Sequence, residues 1–255
     1  MSRKKALAIY LSGTWGQIWT ICVIVFLLRS SGMIVDYTTP AGMVAIGIGG
    51  ISSALWGAII AVKYKKYSIG KILIDFFSVK QRISSYLFVL LFLCLDFFYI
   101  VFNGSFMISA WYVPIALFFK AILFGGIEEV GWRYFFQPTL QERYNYIIST
   151  IITFVAWGIW HFAYFYIEGT LLQVQCFDFL IGLLVNCFIL SALFIKTNSL
   201  WICVVTHSLI NVFSQIAMGG NQYVLYFSKI IIIALAITLS VEKLSKKETF
   251  NLSGR

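Results

Sequence analysis

The sequence predicts an all-α protein, a polytopic membrane helix bundle of about eight transmembrane helices. Of its 255 residues, 60% are hydrophobic and only 11% are charged, and the mean hydropathy is +0.89. Apolar runs long enough to cross a bilayer recur along the whole chain. No polar stretch between them is long enough to form a water-soluble domain, so the composition excludes an ordinary soluble protein.

Each helix is predicted from an apolar run that ends at polar or turn-forming residues. The five cysteines all lie inside such runs and form no CxxC pair, so they are read as small buried side chains rather than disulfides or metal ligands. The predicted spans are 13–29, 41–62, 84–102, 111–136, 149–166, 174–195, 199–218 and 222–241.

The basic residues fall mostly in alternate connections, which predicts the orientation of the chain. They precede the first span, follow the last, and lie between spans two and three, four and five, and six and seven. Arg29 and Lys229 are exceptions. The positive-inside rule therefore predicts that both termini are cytoplasmic. The net charge of +9 then lies at the bilayer surface and does not indicate a nucleic-acid partner.

Residues 63–82, between spans two and three, predict a basic segment that lies in the membrane interface. Apolar and charged residues alternate there near the helical period, as is typical of a short amphipathic helix on a bilayer surface. A tether to anionic lipid is the simpler interpretation of this segment, and a gate for substrate is the alternative.

The stretch "GGIEEVGWRYFFQP", residues 125–138, brings charges into an apolar span. Glu129 and Arg133 are four residues apart, in the order that favours an ion pair on one helix face. Glu128 points about 100° away and has no local partner, so it suits proton transfer. Pro138 is expected to end the helix. An ion pair at a helix end, without any chemistry, explains the same stretch.

His161 and His207 are the only histidines, and both lie within apolar spans. His207 and Asn211 are four residues apart and share a helix face. With a rise of about 1.5 Å per residue, Glu128, His161 and His207 all lie roughly 12–18 Å from the cytoplasmic ends of their helices. Three helices are thus expected to bring polar groups to a similar depth.

The segments "EEVGWR", "WGIWH" and "HSLIN" resemble the motifs EExxxR, FxxxH and HxxxN. These motifs belong to the CPBP family of intramembrane proteases, which includes type II CAAX prenyl endopeptidases and bacterial Abi proteins. The resemblance covers roughly residues 110–215. Trp157 stands where the second motif usually has Phe, and it is expected to pack one helical turn from His161.

The resemblance implies an intramembrane endopeptidase that cleaves membrane peptides or proteins near the cytoplasmic face. The Phe- and Ile-rich spans and the compact length indicate a bacterial cell membrane. Glu128 and His161 would activate water, and His207 with Asn211 would stabilise the oxyanion. Glu129 and Arg133 would hold the helix and set its electrostatics. The family is usually described as metalloproteases, which implies zinc on Glu128, His161 and His207; metal-free chemistry stays open.

The resemblance also implies a division of the chain. Residues 1–110 would form N-terminal transmembrane helices that include the interfacial segment, 111–218 the catalytic helix core, and 219–255 the last transmembrane helix with a basic cytoplasmic tail.

Two other functions are compatible with the same residues. The first is a non-catalytic membrane regulator or bacteriocin-immunity protein that keeps this fold and binds a partner. The second is a proton-coupled transporter, against which the lack of two similar halves argues. Among the remaining polar residues, Asp96 and Lys120 are expected to form a structural pair, and Asp178 and Asn186 to cap helix contacts or line a cavity. The oligomeric state is left open.

Overall fold

The computed structural model describes the backbone of residues 1–253 and the side chains of residues 1–241. The predicted fold class is confirmed, because the chain is an all-α, polytopic membrane bundle. Two shorter apolar helices, Ile83–Asp96 and Leu200–Ile216, accompany the long ones. Within the described part, five helices are long and apolar enough to cross a membrane: Arg3–Ser30, Pro40–Lys65, Tyr146–Glu168, Cys176–Thr197 and Gln222–Val241.

The order of the elements follows the predicted spans. The first half of the chain contains α1 (Arg3–Ser30), α2 (Pro40–Gly50), α3 (Ser52–Ile60), a π-helical turn (Ala61–Lys65), α4 (Ile69–Phe76), α5 (Ile83–Asp96), a 3-10 turn (Phe98–Val101), β1 (Gly104–Phe106) and α6 (Val113–Phe124). The second half contains a 3-10 turn (Gly126–Glu128), α7 (Glu129–Gly131), a π-helical turn (Trp132–Phe136), α8 (Gln137–Leu140), α9 (Tyr146–Glu168), a 3-10 turn (Leu171–Gln173), α10 (Cys176–Thr197), α11 (Leu200–Ile216), β2 (Ala217–Gly219) and α12 (Gln222–Ser253).

Short polar side chains define where several helices begin and end. The side chain of Asn145 accepts a hydrogen bond from the amide of Ile148 and caps α9, and Ser199 caps α11 in the same way. Helix α9 ends at Gly169, whose φ of 87° lies in the left-handed region that glycine adopts without strain. These caps fix the lengths of the two helices that carry the histidines.

The predicted helix over 111–136 is wrong as a continuous α-helix. Helix α6 ends at Phe124, and the chain then passes through Gly125 into a 3-10 turn, a short α-helical stretch and a π-helical turn. Two adjacent glycines favour such a break because they stabilise the α-helix least among non-proline residues. Pro138 does not end the helix, because α8 continues from Gln137 to Leu140.

Residues 63–82 contain the short amphipathic helix α4. Its Ile72 and Phe76 side chains are buried, whereas Ile69, Leu73 and Phe77 are exposed. The polar side carries an ion pair between Lys71 Nζ and Asp75 Oδ2 at 2.8 Å. An exposed apolar row beside a charged row suits a helix that lies at a bilayer surface.

The N-terminal helices pack directly on the residues of the first motif. A Cβ atom on Gly57 of α3 would lie 2.5 Å from Cα of Gly131, so only a glycine allows this approach of the two backbones. On the other side of the contact, Tyr10 of α1 is fully buried against Trp132, Phe135 and Phe136. Residues 1–65 therefore form one wall of the centre of the bundle.

The predicted pairing of Asp96 with Lys120 is wrong. Asp96 Oδ1 lies 3.7 Å from Nζ of Lys229 on α12, and both side chains are largely buried. Lys120 is exposed on α6. Lys229, inside the last span, is therefore the partner of Asp96, because α5 packs against α12. Asp178, in the first turn of α10, accepts a hydrogen bond from the Tyr226 hydroxyl at 2.8 Å.

A two-stranded ribbon adds a small β element that the sequence did not predict. Strand β1 pairs antiparallel with β2, with Ser105 opposite Met218. The ribbon joins the connection before α6 to the end of α11, which carries the third motif. It therefore links the two helices that flank Gly125.

Candidate active site

The first motif lies on an irregular stretch of helix, residues 125–140, which we call the motif segment. It runs from Gly125 through the two non-α turns to Leu140. Wide π-turns inside helices occur frequently at functional sites. Here the irregular backbone places Glu128, Glu129 and Arg133 in the buried centre of the bundle, where all three are nearly inaccessible to solvent.

Glu129 lies between two partners. Its Oε2 atom is 3.6 Å from Nε of Arg133, so the predicted i,i+4 ion pair is present in the structure. Its Oε1 atom is 2.8 Å from Nδ1 of His207 on α11. The sequence indicated the first contact and not the second, because the partners of the second are 78 residues apart.

Arg133 is fully buried and unusually poor in hydrogen bonds. Nη2 lies 3.5 Å from Sγ of Cys187, and the guanidinium carbon lies 4.6 Å from the centre of the Trp157 ring. Nε and Nη1 have no hydrogen-bond partner among the described residues. The charge of Arg133 is thus balanced mainly by Glu129 and by the face of an indole ring.

Glu128 has no partner within its own turn of helix, as expected, but it has one on another helix. Nε1 of Trp157 donates a hydrogen bond to its Oε2 atom at 2.7 Å, and the Trp157 side chain is fully buried. Trp157 was expected only to pack beside His161. The ring does pack there, with centroids 5.0 Å apart, but its N–H group also holds a carboxylate of the first motif.

His161 bonds within its own helix. Nδ1 lies 3.0 Å from the carbonyl oxygen of Trp157, and this oxygen can only accept. Nδ1 therefore carries the hydrogen, and Nε2 of the neutral ring is a free acceptor. The His161 and His207 rings both contact the ring of Trp157, at centroid distances of 5.0 and 5.3 Å. The second and third motifs thus meet at this indole.

Asn211 and His207 come together at Gly125. A Cβ atom on Gly125 would lie 2.4 Å from Nδ2 of Asn211 and 3.2 Å from Nε2 of His207. The two nitrogens therefore approach the same point on the motif segment, from successive turns of α11. The sequence predicted their shared face, and the structure adds that Gly125 leaves the space in front of them.

Several buried polar groups near the motif segment were missed by the sequence analysis. The Tyr10 hydroxyl would lie 2.5 Å from a Cβ atom on Gly131, and the carbonyl oxygen of Ser53 would lie 2.3 Å from it. The hydroxyls of Tyr10 and Ser53 and the indole nitrogen of Trp132 have no hydrogen-bond partner among the described residues. No spacing within α1 or α3 indicated that these helices reach the first motif.

The side chains, as they lie, do not form the zinc site that the resemblance implied. Over the part of the chain that the structure describes, no three His, Cys, Asp or Glu side chains come together in a way that could hold a metal ion. Glu128 bonds to an indole through Oε2. Nδ1 of His161 meets a carbonyl oxygen and Nδ1 of His207 meets a carboxylate, as the non-ligating ring nitrogen of a metal-bound histidine also does.

An apolar groove of about 620 Å³ lies beside the motif segment. It is bounded by α3, the amphipathic α4 and α6, and it reaches Ile127 and Val130, which flank the two glutamates. Because every lining side chain is apolar, the groove suits a hydrocarbon or an apolar side chain rather than a polar ligand.

The motif-bearing region is similar to known proteins. Residues 109–213 match the family model described as "Type II CAAX prenyl endopeptidase Rce1-like". A protein named "CAAX prenyl protease 2" from Methanococcus maripaludis is 27% identical over 154 residues, which cover 56% of this chain and 55% of that relative. The chain thus spans about half the length of the curated relative it matches. The three motifs lie in order within the matched region, on a polytopic helix bundle, and the chain is similar there to type II CAAX prenyl endopeptidases.

Proposed function

We propose that this protein is an intramembrane endopeptidase that hydrolyses peptide bonds of membrane-associated peptides or proteins. The single observation that supports this most is the meeting of all three motifs around Trp157 and Gly125, in the buried centre of the bundle. The family model and the name of the archaeal relative agree with a protease of the CAAX type.

In the proposed mechanism, Glu128 and His161 activate water. The water oxygen attacks the carbonyl carbon of the scissile bond, and its proton passes to Glu128 or to the free Nε2 atom of His161. The C–O bond forms as the carbonyl becomes an oxyanion. When the C–N bond breaks, the protonated group returns the proton to the leaving amine. Because a carboxylate and a neutral imidazole are both acceptors, either can perform the first transfer.

His207 and Asn211 stabilise the oxyanion in this mechanism. Nδ2 of Asn211 is an amide donor, and its position beside Gly125 leaves it free to face a substrate. The carboxylate of Glu129, which lies beside Arg133, accepts a hydrogen bond from Nδ1 of His207. Nδ1 therefore carries a hydrogen. Nε2 donates to the oxyanion when the ring carries a hydrogen on both nitrogens.

The apolar groove is the proposed site for the hydrophobic part of the substrate. It ends at Ile127 and Val130, directly beside Glu128, so an apolar chain lying in it would bring the adjoining peptide bond toward the carboxylate. We place this end of the bundle, with the basic interfacial segment, at the cytoplasmic face, and both termini on the same side.

Cleavage of peptides by purified protein tests the proposal. The protein is reconstituted in lipid vesicles, mixed with membrane-associated peptides that include a prenylated CAAX peptide, and the products are read by mass spectrometry. Glu128→Gln keeps the size of the side chain and removes the base, so it should lower the rate about 100-fold or more. The matched control is Glu168→Gln, whose carboxylate accepts a hydrogen bond from the nearby Thr170 hydroxyl and which should keep normal activity.

Equal cleavage by the wild type and Glu128→Gln would refute the assignment of the base. A wild-type protein that cleaves no peptide, while it binds a partner protein equally well with either residue at position 128, would favour the regulator or immunity function instead.

A further inference from the structure

We infer that Trp157 is the positioning residue of the base: its indole N–H group holds the carboxylate of Glu128 toward the substrate. This inference rests on the proposed function, because it gives Trp157 a part in the same reaction. It assigns to the indole nitrogen a role that packing beside His161 does not require.

The contact has the geometry of a strong hydrogen bond. The Nε1–Oε2 distance is 2.7 Å, within the range of bonds to charged acceptors, and both side chains are almost fully buried. Trp157 lies on the regular helix α9, whereas Glu128 lies on a 3-10 turn. A rigid helix therefore fixes a carboxylate that its own irregular backbone would orient poorly.

The same indole contacts both Arg133 and the carboxylate of Glu128. The face of the ring meets the guanidinium of Arg133 at 4.6 Å, and the N–H group on its edge meets Glu128. A π face attracts a cation and an edge N–H attracts an anion, so one neutral side chain serves both charges. Arg133 therefore pairs with Glu129, and Glu128 has no ion-pair partner among the described residues.

Trp157 also sets the orientation of His161. Its backbone oxygen accepts from Nδ1 of His161, which leaves Nε2 as the free nitrogen. The two groups proposed to activate water therefore both bond to one residue, through its side chain and its main chain. A substitution of Trp157 removes only the side-chain bond to Glu128 and keeps the main-chain bond to His161. Mutation therefore tests the positioning of Glu128 separately from that of His161.

Trp157→Phe is the variant that tests the inference. Phenylalanine keeps an aromatic ring against Arg133 and His161 and deletes the N–H donor. Trp160→Phe is the matched control, since Trp160 lies one turn on in α9, is equally buried, and donates a bond of 2.8 Å to the neutral hydroxyl of Ser52. Both variants lose one buried indole bond, but only Trp157→Phe releases a carboxylate.

We expect Trp157→Phe to lower kcat about 10- to 100-fold with little change in KM, because a misplaced base affects the chemical step. Trp160→Phe should stay within about twofold of the wild type. Equal kcat values for the two variants would overturn the inference.

A spectroscopic measurement tests the contact without using activity. In protein labelled with ¹⁵N-tryptophan, the indole cross peak that disappears in Trp157→Phe belongs to Trp157. Glu128→Gln should displace this peak and leave the Trp160 peak in place, whereas Glu168→Gln should move neither. A Trp157 peak that does not respond to Glu128→Gln would overturn the inference. If the wild type cleaves no peptide, the proposed function fails, and the Trp157 peak still decides whether the indole holds the carboxylate.

Discussion

The Oε1 atom of Glu129 lies 2.8 Å from Nδ1 of His207 and joins the motif segment to α11. The other oxygen of the same carboxylate faces Arg133. One buried anion thus neutralises a permanent cation and orients an imidazole. The position of His207 in front of Gly125 therefore depends on the first motif as much as on its own helix.

Glu129→Gln should lower kcat about 100-fold or more, because an amide cannot hold Nδ1 of His207 and face Arg133 with the charge-assisted contacts that a carboxylate makes. The melting temperature should fall as well, since Arg133 loses its ion-pair partner in a buried site. Kinetics and thermal unfolding would be measured on the same preparation. Glu142→Gln, on an exposed residue, serves as the control. A Glu129→Gln variant with the wild-type rate would exclude a role for this carboxylate in turnover.

Asn211→Ala and His207→Ala should each lower kcat about 100-fold or more with little change in KM, because an oxyanion donor acts mainly on the transition state. The bound metal would be measured on the same samples by mass spectrometry. The proposed oxyanion role predicts that neither substitution changes the metal content. Zinc that is present in the wild type and lost in proportion in His207→Ala would instead make His207 a ligand.

Gly125→Ala should reduce cleavage about 10- to 100-fold while the protein remains folded. The added methyl group would meet Nδ2 of Asn211 at 2.4 Å, and this flexible side chain can move aside at the expense of its alignment. Gly182→Ala is the control, since a Cβ atom there meets nothing within 4 Å. The check is the rate of cleavage together with the melting temperature. Full activity in Gly125→Ala would mean that the space in front of Asn211 is not used.

Lys229→Met should destabilise the bundle by about 3–5 kcal/mol, because it leaves Asp96 buried without a counter-charge. Lys120→Met should have almost no effect, since that side chain is exposed. Unfolding in a mixed-micelle denaturation assay would compare the two. Restoration of stability by Asp96→Asn in the Lys229→Met background would confirm the pairing, whereas equal effects of the two lysine substitutions would contradict it.

The sequence predicted those parts of the site that depend on helical spacing. Glu129 and Arg133, or His207 and Asn211, share a face wherever the chain is helical, so four-residue spacing is enough to expect them together. The fold class could be predicted from the apolar runs alone. A chain that crosses a bilayer must pair its own backbone polar groups, and few backbone structures do so.

The contacts between helices could not be predicted in the same way. Trp157 and Glu128 are 29 residues apart, and their bond depends on how α9 crosses the motif segment. The pairing of Asp96 was wrong because the position of a residue along its span indicates a level in the membrane and not which neighbouring helix supplies the partner. The break in the predicted helix 111–136 was missed because the residues remain mostly apolar across it. The backbone, however, changes from α-helix to a 3-10 turn after Phe124.

The Glu129–Arg133 pair also bears on how the protein enters the membrane. Charged side chains are costly to insert, and two that lie one turn apart can neutralise each other as soon as that turn forms. His207 is synthesised 78 residues after Glu129 and can join only when α11 has docked. Biogenesis thus has an order: the ion pair allows the segment to enter the bilayer, and the later arrival of α11 turns a neutralised pair into a polar site.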